Sequence, residues 1–153
     1  MTGAVAPSMR LTDAAGLDAR AVLAVARGEL VLELGDGLIG WLDGRRARML
    51  AALDAGVPAY GVTTGMGALS EVDLDHAARA RHSEALLTAR AAGGPPWLTR
   101  AETRAVLAVR LRTFLNGDAA VSSQLCGRLA ESIALGLLPA LPRRSTGDRK
   151  SVV

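Results

Sequence analysis

The sequence predicts a mostly α-helical protein with little strand, and three observations carry that expectation. Apolar residues recur at helical spacing through most of the 153 residues, with Ser, Thr or Asp near the starts and Gly or Pro at the stops. An alternating pattern occurs in one short stretch, where Leu30, Leu32 and Leu34 interleave with Glu29, Val31 and Glu33. No internal repeat or low-complexity segment suggests a solenoid or a disordered polypeptide.

Taken in order, residues 1–16 mix Gly, Ala, Pro, Ser and Thr without periodicity and read as a flexible N-terminal arm. Leu17 to Arg27 places Leu17, Ala21, Ala24 and Val25 on one helical face, and Gly28 stops it. After the short extended piece at Leu30–Leu34, Asp36 can cap a helix through Leu38, Ile39, Leu42, Met49, Leu50 and Leu53 that ends at Gly56. Gly37, Gly40 and Gly44 each weaken that helix by up to ~1 kcal/mol relative to Ala. A Gly/Thr-rich loop runs from Pro58 to Leu69, a helix from Glu71 to Ala92, and Gly93-Gly94-Pro95-Pro96 breaks it. Thr99 and Glu102 form a capping-box pattern opening a helix that ends near Gly117. Ser122 caps a last helix through Leu135, with Leu125, Leu129, Ile133 and Cys126 as its inward candidates, and Gly136, Pro139 and Pro142 end it.

Composition excludes several classes. Half the residues are hydrophobic, too many for a disordered tail. Cys126 has no partner for a disulfide scaffold, and no apolar run reaches the ~18–20 residues of a membrane span. The first residues lack a basic region followed by an apolar core. A soluble, cytoplasmic protein without a membrane partner is the expectation. The net charge of +3 decides nothing about nucleic acid, because the arginines are interspersed with Ala, Leu and acids rather than gathered on one face.

Tyr60 in its Gly/Thr-rich loop is the most informative position. Glycines let a backbone turn with positive φ and approach a ligand closely, and functional groups concentrate on loops held by a rigid scaffold. A phenol serves as a base only where burial near a cation or donor tunes it for proton transfer. An ordinary tight loop with a half-buried tyrosine is the competing reading. His76 and His82 lie six apart, which is not a same-face ligand spacing, so no metal site is expected. Cys126 reads as a small buried apolar residue. Arg143 and Arg144 read as a solvated basic turn.

Tyr60-Gly61-Val62-Thr63-Thr64-Gly65-Met66-Gly67 resembles the N-terminal signature of the aromatic amino acid ammonia-lyases, the histidine, phenylalanine and tyrosine ammonia-lyases and related aminomutases. Leu23 to Gly28 is similar to the family's opening helix and glycine, and Ala91-Ala92-Gly93 to its helix end after the loop. Arg110, Gly117, Gly136, Pro139 and Pro142 fall in register with the stretch that leads to the family's cofactor motif. The resemblance covers residues 17–147 and implies the N-terminal portion of an L-aspartase-like, all-helical lyase.

By that resemblance the activity is elimination of ammonia from an aromatic or histidine-like L-amino acid, or the related aminomutase reaction. The electrophile would be a methylidene-imidazolone ring (MIO) that the family makes from its own Ala-Ser-Gly. Tyr60 takes the role of catalytic base, with Gly61, Thr64, Gly67 and Arg90 at the substrate, and a homotetramer is implied for the full-length enzyme. The sequence departs from the pattern in places. The helix before Ala91 carries Ala85, Ala89 and Arg90 where the family has Asn and a pair such as Ser-His. Arg112 replaces an Asn, and Ala119-Ala120 replaces Ser-Gly.

The approach Leu141-Pro142-Arg143-Arg144-Ser145-Thr146-Gly147 is followed by Asp148-Arg149-Lys150-Ser151-Val152-Val153 and not by Ala-Ser-Gly. These six residues are expected to be a non-native tail. They equal the translation of a common sequencing adapter, and they contain the only lysine of the protein. A polypeptide without the precursor tripeptide is expected to be inactive alone. It is also expected to leave the apolar faces at Leu107, Leu111, Phe114, Leu129 and Ile133 uncovered. The alternative function is a small helical nucleic-acid-binding protein with a helix-turn-helix near 119–135, where a turn precedes a helix with polar residues at its start.

Overall fold

The computed structural model describes residues 6–67, 70–90 and 93–144, apart from the side chains of His76, Ala89 and Arg90. The N-terminal arm through residue 5 and the tail 148–153 lie outside the described residues. Among the described residues, five helices and four short strands follow one another as β1 (Ser8–Leu11), α1 (Ala19–Arg27), β2 (Val31–Leu34), α2 (Asp36–Asp54), α3 (His76–Arg90), β3 (Gly94–Trp97), α4 (Arg100–Leu115), α5 (Ser123–Leu135) and β4 (Pro142–Arg144). The mostly α expectation holds. The protein divides into two compact units, one of residues 1–49 and 97–141 and one of residues 50–96 and 142–153.

In the larger unit β1 pairs parallel with β2, Ser8 opposite Val31 and Leu11 opposite Leu34, with α1 as the crossover between them. The flexible arm expected through residue 16 therefore gives way at Ser8. Four residues are too few to show a strand period, and the pairing partner is supplied by β2. Leu11 and Leu32 are buried by it. Asp18 caps α1 by accepting from the Ala21 N–H at 2.8 Å, and Gly28 ends the helix in the left-handed region.

α2 runs unbroken through Gly37, Gly40 and Gly44 because Leu38 and Leu42 are buried beneath it, and tertiary burial outweighs propensity. Asp36 stands inside its first turn rather than at the cap, and its carboxylate accepts from Arg10 at 2.6 Å. α4 starts from a complete capping box: the Thr99 hydroxyl accepts from the Glu102 N–H, and the Glu102 carboxylate accepts from the Thr99 N–H. α5 starts from Ser122, whose hydroxyl accepts from the Leu125 N–H.

The core of this unit is Leu11, Leu17, Val25, Leu38, Leu42, Ala108, Leu111, Leu115, Cys126, Ala130 and Ile133, gathered between α1, α4 and α5. Each fully buried Leu contributes roughly 1.5–3 kcal/mol. The α4 and α5 faces expected to be uncovered are in fact packed. Leu111 and Ile133 are buried, and Leu107, Phe114 and Leu129 are partly buried against them. The β1–β2 ribbon and α1, both local to this segment, supply the cover. Leu125 does not turn inward and is 47% exposed; Cys126 takes that place. Burial pushes the Cys126 thiol up from its ordinary range, the behaviour of an inert core cysteine. None of the helices among the described residues is long and apolar enough to cross a membrane.

The turn from α4 to α5 carries the one left-handed non-glycine residue among those described. Gly117 (φ +75°) packs so closely on Trp41 that an added Cβ would lie 2.6 Å from the ring. Ala120 follows with φ +46°, held by the Arg46 guanidinium, which donates to its carbonyl at 2.9 Å. A positive φ of this kind is ordinarily a glycine's conformation. A left-handed alanine is strained by roughly 1–2 kcal/mol, part of which a glycine gives back as unfolded-state entropy. Ala120→Gly is expected to stabilise the larger unit by about 1 kcal/mol, read as a higher urea midpoint; an unchanged or lower midpoint would show that the turn carries no strain.

Candidate active site

The smaller unit is organised by its loop rather than by an apolar core. Its buried side chains include Thr63 and Thr64, which are polar and hydrogen-bonded within the loop. The Thr63 hydroxyl accepts from the Ala59 N–H at 2.7 Å and donates to the Ala59 carbonyl at 3.3 Å. The N–H groups of Val62 and Thr63 donate to the same carbonyl, at 3.0 and 2.9 Å. Residues 59–63 thus close a turn around Tyr60.

A second set of bonds ties this turn to the segment ahead of α3. Thr64 and Asp73 form an antiparallel bridge, the Gly65 N–H donates to the Val72 carbonyl, and the Leu74 N–H donates to the Thr63 carbonyl at 2.8 Å. This bridge is why the helix expected from Glu71 begins at His76: residues 72–74 are spent on the loop. Asp75 then accepts from the Ala78 N–H at 2.7 Å, and the Arg79 guanidinium donates to the Leu74 carbonyl. Gly93-Gly94-Pro95-Pro96 ends the helical stretch as expected, yet Gly94–Trp97 goes on to form β3, paired with β4. Arg143 and Arg144, expected in a turn, lie in β4.

Tyr60 itself is 63% exposed. Its ring folds over the loop so that the phenol oxygen accepts from the Gly67 N–H at 3.1 Å. Gly61 and Gly67 sit at φ +72° and +63°, and those two left-handed residues let the loop reverse sharply enough for a side chain to reach a main-chain donor seven residues on. Of the two conditions a phenol base requires, the donor is present and the burial is not: the Gly67 N–H fixes the oxygen, while most of the Tyr60 side chain is exposed in this segment.

The structure brings Tyr60, Gly61, Thr64 and Gly67 into one loop. The Thr64 hydroxyl turns inward and donates to the Gly65 carbonyl at 3.2 Å. Arg90 ends α3, and its side chain lies outside the described residues. Thr63 and Asp73 fix the loop without having been singled out as site residues; Thr63 lies within the octapeptide, and Asp73 lies outside any motif. Among the described residues no cluster of three His, Cys, Asp or Glu could hold a metal. His82 lies on α3 with its Nε2 buried. Residues 119–135, the helix-turn-helix of the alternative, comprise the strained turn and α5, whose Cys126, Ala130 and Ile133 face is committed to the core.

Residues 17–147 match the family model described as aromatic amino acid lyase. The protein is 33% identical to a tyrosine ammonia-lyase of Cupriavidus metallidurans over 124 residues, 80% of the present sequence and 23% of that protein. It is 32% identical to a histidine ammonia-lyase of Streptomyces avermitilis over 126 residues, 82% of the present sequence and 25% of that one. The crystal structure of a tyrosine aminomutase from Streptomyces globisporus superposes with a TM-score of 0.82 at 28% identity, covering 93% of the present sequence and 26% of that one. The 153 residues therefore span about a quarter of the length of the curated relatives they match.

Replacing Thr63 by Val keeps the shape of the side group but strands the Ala59 N–H, at a penalty of about 1–3 kcal/mol to the loop. Amide hydrogen exchange is expected to speed up at Val62, Thr63 and Gly65 while α4 stays protected. Uniform exchange in both forms would place the loop's anchor elsewhere.

Proposed function

Because the chain belongs to the aromatic amino acid lyase family, we propose that it forms the N-terminal portion of an amino acid ammonia-lyase or aminomutase and that Tyr60 is its proton acceptor. The observation that carries this reading is the phenol held by the Gly67 N–H at the exposed surface of a loop whose own polar groups are turned inward. In the elimination, Tyr60 takes the β-proton of the amino acid. The C–H electron pair becomes the new double bond as the C–N bond breaks and ammonia leaves. Gly61 and Gly67 let the main chain approach the substrate, and Thr64 holds the loop shape from within. Arg90, at the end of α3, takes a place beside the substrate and bears on which amino acid is accepted. A homotetramer is proposed for the full-length enzyme.

The family's electrophile, MIO, supplies the electron sink that makes a β-proton removable. It forms from Ala-Ser-Gly, and no such tripeptide occurs in these 153 residues. The residues present therefore do not fit as its source. What this segment brings to the reaction is the base and the loop that aims it.

Two measurements test the proposal. The 153-residue protein incubated with aromatic amino acids or histidine is expected to produce no arylacrylate or urocanate absorbance, since a base alone cannot acidify the β-carbon. In a family-length protein carrying this segment, Tyr60→Phe is expected to fold and to lose about 10²–10⁴ in turnover. Unchanged turnover in that variant would assign the base to another residue.

A further inference from the structure

Asn116 is the only asparagine of the protein, and Gly117 follows it. The asparagine is exposed at the C-terminal end of α4, while the glycine is buried against Trp41. We infer that Asn116-Gly117 is a latent self-modification site, a succinimide-forming pair that the α4 C-cap holds shut. The chemistry needs no cofactor. The Gly117 nitrogen gives its proton to water or hydroxide and bonds to the Asn116 Cγ; Nδ2 takes a proton from water as its bond to Cγ breaks, and ammonia leaves. Water then opens the cyclic imide at either carbonyl, giving Asp or its β-linked isomer. Glycine in second place matters because it offers no side group to hinder the attack.

Three features of the fold oppose the ring closure. Asn116 has φ −68° and ψ −14°, and this helical ψ does not bring the Gly117 nitrogen level with the Asn116 Cβ, as a five-membered ring requires. The Gly117 N–H is already engaged, donating to the Phe114 carbonyl at 3.0 Å. Gly117 cannot swing freely, because the Trp41 ring and the Arg45 side chain fill the space beside its Cα. Reaction therefore requires the cap to open.

The β-linked product would not fit back. The β-linked isomer adds one backbone carbon immediately before a residue with no slack against Trp41. Either product puts a carboxylate at the negative end of the α4 dipole, beside Asp118. The modification would thus be irreversible in structure as well as in bonding, and it would act on the same turn that holds Ala120.

The test compares the folded protein with the same protein in urea, both in mildly alkaline buffer, by peptide mapping for the one-dalton mass gain and the β-linked isomer at position 116. Conversion in urea is expected, with native conversion slower by more than ~10-fold, which corresponds to an opening free energy above ~1.4 kcal/mol. Trp41→Ala is expected to speed native conversion and leave the urea rate unchanged; Ala120→Gly, which relaxes the adjoining turn, is expected to slow it. Equal rates in buffer and urea would overturn the gate, and an intact Asn116 in urea would overturn the site. A native rate indifferent to both substitutions would also overturn the gate.

Discussion

The larger unit depends on how α4 begins. The capping box at Thr99 and Glu102 fixes the direction in which the helix leaves, and with it the positions of Arg100 and Arg104 in its first turns. The Arg100 guanidinium donates to the Gly136 carbonyl at 3.0 Å, where α5 ends. Arg104 lies 3.5 Å from where a Cβ would stand on Gly28, at the end of α1, and equally near that position on Gly136. Two helix C-termini, each with a partial negative charge, thus converge on cations presented by the start of a third. Further along, Ala108, Leu111 and Leu115 are almost wholly buried and carry the packing of α1 and α5. The polar collar sets the angle and the apolar stripe supplies the free energy.

The smaller unit is built on a different principle. Its order comes from main-chain and threonine hydrogen bonds around residues 59–74, with few large side chains buried. Segments stabilised in this way open more readily than a packed core. That suits the role proposed for the loop, which would admit a substrate and still return its phenol to one place. The left-handed glycines make the return geometry possible, and the bridge to Asp73 limits how far the loop can wander. A stiffer apolar anchor would hold Tyr60 more firmly and leave the loop less room to open.

Much of this was legible in the sequence because it is written in local chemistry. Thr99, Ser122, Gly28 and Gly136 cap helices where their residue types say they should, and the Tyr60 octapeptide is the most specific part of the family resemblance. What escaped was set by partners distant along the polypeptide. β1 exists because β2 is beside it, and β3 because β4 is. α3 starts late because Asp73 is taken by Thr64. Leu125 and Cys126 stand at adjacent positions of one helix, and only the neighbouring helix decides that the smaller is enclosed. The role of Asp73 in shaping the site depends on a backbone partner, Thr64, that nothing in its own neighbourhood announces.

Tyr60 is the only tyrosine in the protein. Biosynthetic replacement with fluorotyrosine would therefore place a single fluorine nucleus in it, on the ring proposed to carry the proton. Its chemical shift would distinguish a ring latched to the Gly67 N–H from one swung free, and its line width would give the rate of exchange between them. The loop's motion becomes a one-signal spectroscopic problem, free of assignment.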